Sequence, residues 1–347
     1  MTPPAGPVQA TDAFVLNAQS VTLPYTITQP GTYRLTSNLT GATDGIIVDA
    51  DNVTIDLNGF TLGGGTGYGV RGAYGQIRTG VRIINGHVTG WGFAGITGGA
   101  IDTITFDTAI LNEMIVEGVT LSNCGTGVQG GQSALIVNTI AFDCAVGIAS
   151  GDGGLVRSAT VRGCTTANVI LNQGGSLLDS SLTGGTTGVS ASDNASVRNT
   201  TIRNTGANGI TCLGPGVTIE SSTVDNAGAI GIEATWPNNS IRECSVLNSA
   251  GVGIKVYLQG IIQDSTINNS GFHGIMSDEQ PFQIDGRNVV MDNIIMFSTG
   301  DAVNFANSQL NYIYRNMVSN AITSNLATDA PFTIDPTTAD PLDNVLR

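Results

Sequence analysis

The fold is decided by residues 201–254, which read TIRNTGANGITCLGPGVTIESSTVDNAGAIGIEATWPNNSIRECSVLNSAGVGI. A glycine followed by an isoleucine occurs three times in this stretch, and a Gly–aliphatic pair recurs about every 21 residues over most of the chain. The clearest copies are Gly188-Val189, Gly209-Ile210, Gly231-Ile232, Gly253-Ile254 and Gly274-Ile275. A period this short leaves room for three brief strands and their turns, so each repeat predicts one coil of a solenoid.

Two further apolar segments accompany each pair. A triplet such as Thr201-Ile202-Arg203 precedes the pair, and a segment such as Val217-Thr218-Ile219 follows it. Aliphatic residues alternate there with polar ones, which is typical of a strand with one buried face. The pair continues with looser spacing at Gly45-Ile46, Gly69-Val70, Gly95-Ile96, Gly127-Val128, Gly147-Ile148, Asn168-Val169 and Ala302-Val303. We expect the aliphatic members, from Ile46 to Val303, to form one inward-facing stack.

The repeats predict a single all-β solenoid of about 12 coils over residues 21–325. Each strand would pair in parallel with its counterparts roughly 4.8 Å away, which makes a rod on the order of 55–60 Å long. One coil is longer than the others, so a loop around Asp102–Glu113 should bulge from the rod. Residues 1–20 lie outside the register and are predicted to cap the N-terminal end. Residues 326–347 are predicted to be an extended C-terminal tail or cap.

The first coils resemble a known family. Residues 23–35 read LPYTITQPGTYRL and residues 51–60 read DNVTIDLNGF. Both segments are similar to the opening coils of bacterial right-handed parallel β-helix repeat proteins of the pectate-lyase-like superfamily. The resemblance extends over roughly residues 21–325 and implies a right-handed parallel β-helix. It leaves the function open, because the superfamily includes lyases, hydrolases, epimerases, phage tailspikes and adhesins.

The charge balance of the chain is acidic. It has 27 Asp and Glu residues against 13 Lys and Arg residues, for a net charge of −14. Such a surface repels nucleic acid and anionic membranes, so we expect neither as a partner. The sequence contains no run of 18 apolar residues, so no membrane-spanning segment is predicted. The start, Met1-Thr2-Pro3-Pro4, has no basic or apolar region of a signal peptide, so we expect none in this chain. The family resemblance implies an extracellular location or one on a cell or virus surface.

Three cysteines share one position in consecutive coils. Cys124, Cys144 and Cys164 lie 20 residues apart, which predicts a ladder of thiols about 4.8 Å apart. That separation is compatible with a disulfide, but we favour a column of small buried thiols, in the slot that Ala227 and Ser270 fill in other coils. No histidine belongs to the ladder, so no metal site is expected there. Five cysteines cannot all pair, and no disulfide framework is implied.

The family's catalytic signatures are absent. Lyases of this architecture use Lys, Arg or Tyr as a base, often with calcium, and its hydrolases use paired Asp. The chain has no Asp-Asp pair, no Gly-His-Gly and no Asp-Pro-His-Glu motif of the mannuronan epimerases. We interpret His87 as an outward strand residue and His273 as a turn residue. A non-catalytic protein without a cofactor is therefore favoured, and calcium is left open.

One surface patch differs from the rest. The residue after each pair should point outward, and from Gln129 to Asn304 this column carries charge only at Glu233 and Lys255, the single lysine. With nearby aromatic and acidic residues they predict a sugar-binding groove, in which Lys255 would neutralise a uronate. The alternative is a cross-strand ion pair with surface aromatics. The candidates are Lys255 and Glu233 for catalysis, and Trp236, Tyr257, Asp278, Glu279 and His273 for substrate binding.

Two function classes follow. The first is a non-catalytic extracellular or particle-surface β-helix, a rigid scaffold and glycan-binding module of the envelope, adhesin or phage-fibre type. The second is a polysaccharide lyase or epimerase that acts on an acidic glycan from the Glu233–Lys255 face. The missing motifs favour the first class, whereas ordered calcium or a deep groove would favour the second. A polysaccharide or cell-surface glycan is the expected partner in both, and homo-oligomer formation is left open.

Overall fold

The structure is a computed structural model that describes residues 13–101, 108–277, 287–305, 311–319, 326–328 and 344–346. Within these ranges the chain forms strands and no helix. The strands build three parallel ladders, in which each coil contributes one strand to each ladder. The all-β solenoid predicted from the repeats is confirmed.

The three ladders are named in the order in which a coil visits them. The first ladder contains Phe14–Leu16, Gly31–Leu35, Val53–Asp56, the first half of Arg82–Trp91, the first half of Ile115–Ser122, Leu135–Val137, Leu155–Arg157, Ser176–Leu178, Ser196–Arg198, Thr218–Glu220, Ser240–Arg242, Ile261–Gln263, Val289–Met291 and Tyr312–Tyr314. The second contains Leu39–Thr40, Thr61–Gly65, the later halves of the two long strands, Ile140–Phe142, Thr160–Arg162, Ser181–Thr183, Thr201–Thr205, Thr223–Ala227, Ser245–Leu247, Thr266–Asn268, Ile294–Met296, Asn316–Ser319 and Asn344–Leu346. The third contains Tyr25–Ile27, Ile46–Val48, Tyr68–Gly72, Ala94–Thr97, Thr126–Gln129, Val146–Ala149, Ala167–Leu171, Thr187–Ala191, Ile210–Cys212, Ile232–Ala234, Ile254–Val256, Ile275–Ser277, Val303–Phe305 and Leu326–Thr328.

The Gly–aliphatic pairs lie in the third ladder, and their aliphatic members form the predicted inward stack. Ile46 is in register with Val70, and the series continues from coil to coil until Ile275 meets Val303. All twelve aliphatic side chains are buried. The third ladder also has a strand before this series, Tyr25–Ile27, and one after it, Leu326–Thr328.

The glycine of each pair is required by the close approach of the next coil. A Cβ atom on Gly209 would lie 2.3 Å from Cγ1 of Val224 and 2.6 Å from the carbonyl oxygen of Gly231. One pair has Asn168 in place of glycine, and its Nδ2 donates a hydrogen bond to the carbonyl oxygen of Gly184 at 2.7 Å. The neighbouring slot of the following coil is then a glycine, Gly185, whose Cβ would meet Oδ1 of Asn168 at 3.0 Å. A larger residue in one coil is thus matched by a smaller one in the next.

The thiol slot lies at the corner between the second and third ladders. Cys124, Cys144 and Cys164 stack there, and they are buried, as predicted. Ala227 and Ser270 fill the same slot in later coils and are also buried. The thiols therefore pack as small core residues.

The long coil forms a small sheet outside the three ladders. Gly99–Ile101 pairs antiparallel with Thr108–Leu111, and the latter pairs in parallel with Ile77–Arg78. This hairpin packs beside the third-ladder strand Tyr68–Gly72. The predicted bulge is confirmed by these strands, whereas residues 102–107 lie outside the described part of the chain.

The N-terminal segment contributes an additional rung. Phe14–Leu16 pairs in parallel with Gly31–Leu35, and the Phe14 and Tyr33 rings stack with centroids 4.7 Å apart. Leu16 is buried, which closes the core at this end. Residues 1–12, and most of the predicted tail at 326–347, lie outside the described residues.

Candidate functional site

The candidate site lies on the outward face of the third ladder. Glu233 and Lys255 occupy the middle of consecutive strands and are directly in register, with Met276 on the next rung. The neighbouring residues of each strand point inward and are buried, so the two charged side chains project from the rod. Both side chains are half-buried. The structure thus brings the two catalytic candidates to adjacent rungs.

The carboxylate of Glu233 is oriented by a corner residue of the preceding coil. Nδ2 of Asn208 donates a hydrogen bond to Oε2 of Glu233 at 2.7 Å and another to Oγ1 of Thr211 at 3.1 Å. Oδ1 of Asn208 accepts a hydrogen bond from the backbone N–H of Ile230 at 3.1 Å, which fixes the amide. Sequence reasoning did not select Asn208, although it lies directly before a recognised Gly–Ile pair.

The two aromatic candidates follow the third-ladder strands at the corner that leads to the first ladder. Trp236 is 48% exposed, and its carbonyl oxygen accepts a hydrogen bond from Nδ2 of Asn239 at 2.9 Å. Tyr257 is half-buried, and its carbonyl oxygen accepts a hydrogen bond from Nδ2 of Asn288 at 2.9 Å. Both corners are therefore held by buried asparagines, and the partly exposed Trp236 follows Glu233 by three residues.

His273 lies one coil beyond Lys255, at the corner that opens the third-ladder strand. The backbone N–H of Asp301 donates a hydrogen bond to Nδ1 of His273 at 2.9 Å, and the imidazole lies against the Phe272 ring with centroids 3.9 Å apart. Burial lowers the pKa of His273, while the carboxylate of Asp301 raises it. The neutral ring accepts at Nδ1 and so carries its proton on Nε2. His273 is therefore a hydrogen-bond donor to anything that approaches Nε2.

The structure adds one charged residue to the column. Arg71 follows the recognised pair Gly69-Val70, and it lies in register with Ile47 of the preceding strand. It is 6% exposed. Its Nε forms an ion pair with Oδ2 of Asp44 at 2.9 Å, and its guanidinium lies 3.9 Å from the centroid of the Tyr74 ring. Asp44 precedes its pair as Asn208 does, and each contacts the column residue of the next coil.

Two of the candidates cannot be placed. Asp278 and Glu279 lie outside the described residues. Within the described ranges, no group of three or more His, Cys, Asp or Glu side chains is arranged to hold a metal ion. In the same ranges there is no helix long and apolar enough to cross a bilayer.

Comparison with known proteins places the chain among β-helix structures. A family model described as a right-handed beta helix region matches residues 185–330. The A-module of the Azotobacter vinelandii mannuronan C-5 epimerase AlgE6 superposes with a TM-score of 0.63 at 12% identity, over 88% of this chain and 92% of that one. The periplasmic alginate epimerase AlgG gives a TM-score of 0.52 at 12% identity, over 84% of this chain and 79% of that one.

A more distant match is the catalytic unit of the α-1,3-glucanase of Streptomyces thermodiastaticus, with a TM-score of 0.47 at 14% identity, over 91% of this chain and 60% of that one. A search of curated proteins found no match to this sequence. At these identities the matches establish the fold alone. The repeats, the three parallel ladders and the superpositions on the two epimerases agree on one fold. The chain has the fold of a right-handed parallel β-helix.

Proposed function

We propose that this protein is a non-catalytic β-helix module that binds a polysaccharide or cell-surface glycan through the outward face of the third ladder. The binding residues would be Glu233, Lys255, Trp236 and Tyr257, with His273 at the margin. The rod of stacked coils would act as a rigid scaffold that presents this face outside the cell or on a particle surface. An acidic glycan suits the site best, because Lys255 can neutralise a uronate.

The exposed ring of Trp236 is the observation that carries the proposal. Trp236 is a large aromatic side chain that is 48% exposed, so about half of its surface is open to a ligand at this corner. Aromatic rings bind the apolar faces of sugars, and a few convergent polar groups give orientation and specificity. Glu233 and Lys255, on this coil and the next, supply such groups as an acceptor and a cation.

The chemistry of the described residues favours binding over catalysis. Proton abstraction requires a base whose acceptor atom faces the substrate, and an orienting partner for that base. His273 cannot supply this at Nδ1, because that atom already accepts the N–H of Asp301. Glu233 has an orienting partner in Asn208, but a carboxylate repels the carboxylate of an acidic sugar. Glu233 is better suited to accept hydrogen bonds from sugar hydroxyls.

The second candidate is an epimerase or lyase that acts on an acidic glycan from the same face. It is favoured by the mannuronan C-5 epimerase and the alginate epimerase, whose superpositions extend over 84–88% of this chain. Both reactions begin with removal of the proton on the carbon beside the sugar carboxylate. Lys255 or Tyr257 would then act as the base, and Lys255 would need to be uncharged to do so.

Binding of mannuronan and of a neutral β-glucan by the wild type, Lys255→Ala and Trp236→Ala tests the proposal. Lys255→Ala should weaken mannuronan binding about ten-fold or more, through loss of a charge-assisted contact. Trp236→Ala should weaken binding of both polymers. Arg242→Ala is the matched control, since it removes one positive charge from the first-ladder strand of the coil that contains Lys255.

The same samples distinguish the two functions. Ultraviolet absorbance of an unsaturated product would report a lyase, and deuterium incorporation at C-5 would report an epimerase. Either signal, lost in Lys255→Ala but kept in Arg242→Ala, would replace the non-catalytic proposal by the second candidate. Unchanged binding in both Lys255→Ala and Trp236→Ala, with intact thermal unfolding, would reject this face as the site.

A further inference from the structure

A half-buried carboxylate lies near Trp236, at the corner between the third and first ladders. It belongs to Asp193, and it packs directly over Gly214 of the next coil. A Cβ atom on Gly214 would overlap Oδ1 of Asp193 and would lie 2.8 Å from its Cγ. Glycine is therefore required at position 214, because any side chain there would displace the carboxylate.

The Asp193 carboxylate has no partner in the described part of the chain. Neither of its oxygens takes part in a hydrogen bond or an ion pair there. By contrast, Asp44 pairs with Arg71 at 2.9 Å, and Glu233 accepts a hydrogen bond from Asn208 at 2.7 Å. A half-buried carboxylate without such a contact is an acceptor that the hydroxyl groups of a ligand can satisfy.

Trp236 lies on the rung beyond Gly214. The two corners match, because Gly216 and Asn238 both have a left-handed backbone, with φ of +73° and +62°. Gly214 and Trp236 each precede that left-handed residue by two positions, so they lie on neighbouring rungs about 4.8 Å apart. Since Gly214 has no side chain, nothing from its position separates the Asp193 carboxylate from the Trp236 ring.

An apolar platform, formed by Leu213 and Trp236, lies beside this carboxylate. Leu213 follows the strand Ile210–Cys212 and is 52% exposed, and Trp236 follows the strand of the next coil and is 48% exposed. The apolar face of a sugar packs on such a surface, while its hydroxyl groups bond to polar groups at the margin. Asp193 supplies a polar group at one margin of the platform.

The other margin carries the opposite charge. Asp193 follows a third-ladder strand two rungs before the strand of Glu233, and Lys255 lies on the strand one rung after it. The backbones of Asp193 and Lys255 are therefore three rungs apart, about 14 Å. At this separation they contact different units of a glycan that lies along the rod. The ammonium favours a uronate, whereas the carboxylate repels one and accepts hydroxyl groups.

We propose that Asp193 is a specificity-determining residue, through which the site prefers glycans that alternate uronates with neutral sugars over polymers of uronates alone. The inference rests on the proposed function, because it requires a glycan on the platform of Leu213 and Trp236. A neutral unit donates its hydroxyl groups to the Asp193 carboxylate. A uronate further along the same glycan is neutralised by Lys255.

Binding of two polymers of equal length tests the proposal. Hyaluronan alternates a uronate with a neutral amino sugar, and mannuronan contains uronates alone. At low ionic strength the wild type should bind hyaluronan about three-fold or more tightly than mannuronan. Asp193→Asn keeps the shape of the side chain and removes its charge, so it should strengthen mannuronan binding about three-fold and should not strengthen hyaluronan binding. The gain should shrink in about 1 M salt, which screens exposed charges.

Asp152→Asn is the matched control. Asp152 precedes the left-handed Gly153 as Asp193 precedes the left-handed Asn194, two coils later. The control removes the same charge from the same kind of corner, farther from the platform, and should leave the preference unchanged.

The outcomes separate this inference from the proposed function. If Trp236→Ala weakens binding of both polymers but Asp193→Asn leaves their affinity ratio unchanged, only the role of Asp193 is overturned. A wild type that binds mannuronan as tightly as hyaluronan would overturn it as well, and so would an equal gain in Asp152→Asn. If Trp236→Ala changes neither affinity, or if the wild type binds neither polymer, the platform and the role of Asp193 are rejected together.

Discussion

Substitution of Gly209 by alanine probes the close approach of coils most directly. The new Cβ would lie 2.3 Å from Cγ1 of Val224 and 2.6 Å from the carbonyl oxygen of Gly231. The valine can rotate, but the carbonyl oxygen belongs to the ladder and can move only if the coils separate. Overpacking of a well-packed core costs about 1–3 kcal/mol, and contact with the backbone places this case at the upper end. Replacement of glycine also stiffens the unfolded chain, which offsets about 0.4–1 kcal/mol. The free energy of unfolding should therefore fall by about 2 kcal/mol.

Gly206→Ala is the matched control, three residues earlier in the same coil. Its nearest neighbour would be the carbonyl oxygen of Gly185 at 3.5 Å, an ordinary contact. The unfolded-state effect remains without the clash, so this variant should be as stable as the wild type or slightly more stable. Urea unfolding followed by circular dichroism measures both variants. Equal unfolding midpoints for Gly209→Ala and Gly206→Ala would refute the steric reasoning.

Three other predictions concern charged and sulfur-containing groups. Asp44→Ala leaves the buried Arg71 without its carboxylate and should lower the free energy of unfolding by about 3 kcal/mol. Asp179→Ala, at an exposed ion pair, should lower it by only about 0–1 kcal/mol. Similar losses of unfolding free energy for the two variants in urea would contradict this reasoning. The lowered pKa of His273 favours its neutral form in the folded state, so its contribution to stability is present above the ordinary pKa of about 6.5 and is lost as the pH falls below it. His273→Gln should flatten the stability curve between pH 7.5 and 5, and an unchanged slope would count against this assignment. Thiol reagents should label the buried cysteines only after unfolding, and rapid labelling of the native protein would show that the slot is open. Cys144→Ala should lower the free energy of unfolding by roughly 1 kcal/mol, because it leaves a small void.

The fold was predictable because its main contacts repeat along the sequence. Each of the twelve coils places an aliphatic residue inward, and ten of them place a glycine against the next coil. The pattern between Ile46 and Val303 therefore identifies the third ladder rung by rung. The hairpin formed by Gly99–Ile101 and Thr108–Leu111 was predictable only as an excess of length. Its pairing with Ile77–Arg78 joins segments about 30 residues apart, and no repeat encodes that contact.

The candidate site was only partly predictable. The register placed Glu233 and Lys255 on one face, because the middle residue of each third-ladder strand must point outward. It could not show that Asn208 orients Glu233, since that contact depends on the shape of a corner. It also could not show that His273 accepts a backbone N–H at Nδ1. The roles of Trp236 and Tyr257 stay predictions until binding is measured.

The fit between Asn168 and Gly185 of the next coil also limits which coils can follow one another in an engineered rod. A coil with a Gly–aliphatic pair presents the same contact surface to the next coil, so such coils could be duplicated, deleted or exchanged by engineering. The coil with Asn168 favours a successor with glycine in the facing slot, because Gly185 has a φ of +79° and a Cβ there would lie 2.8 Å from the carbonyl oxygen of Cys164 and 3.0 Å from Oδ1 of Asn168. Shuffling should therefore succeed on either side of this contact and fail across it, unless the two residues are transferred together.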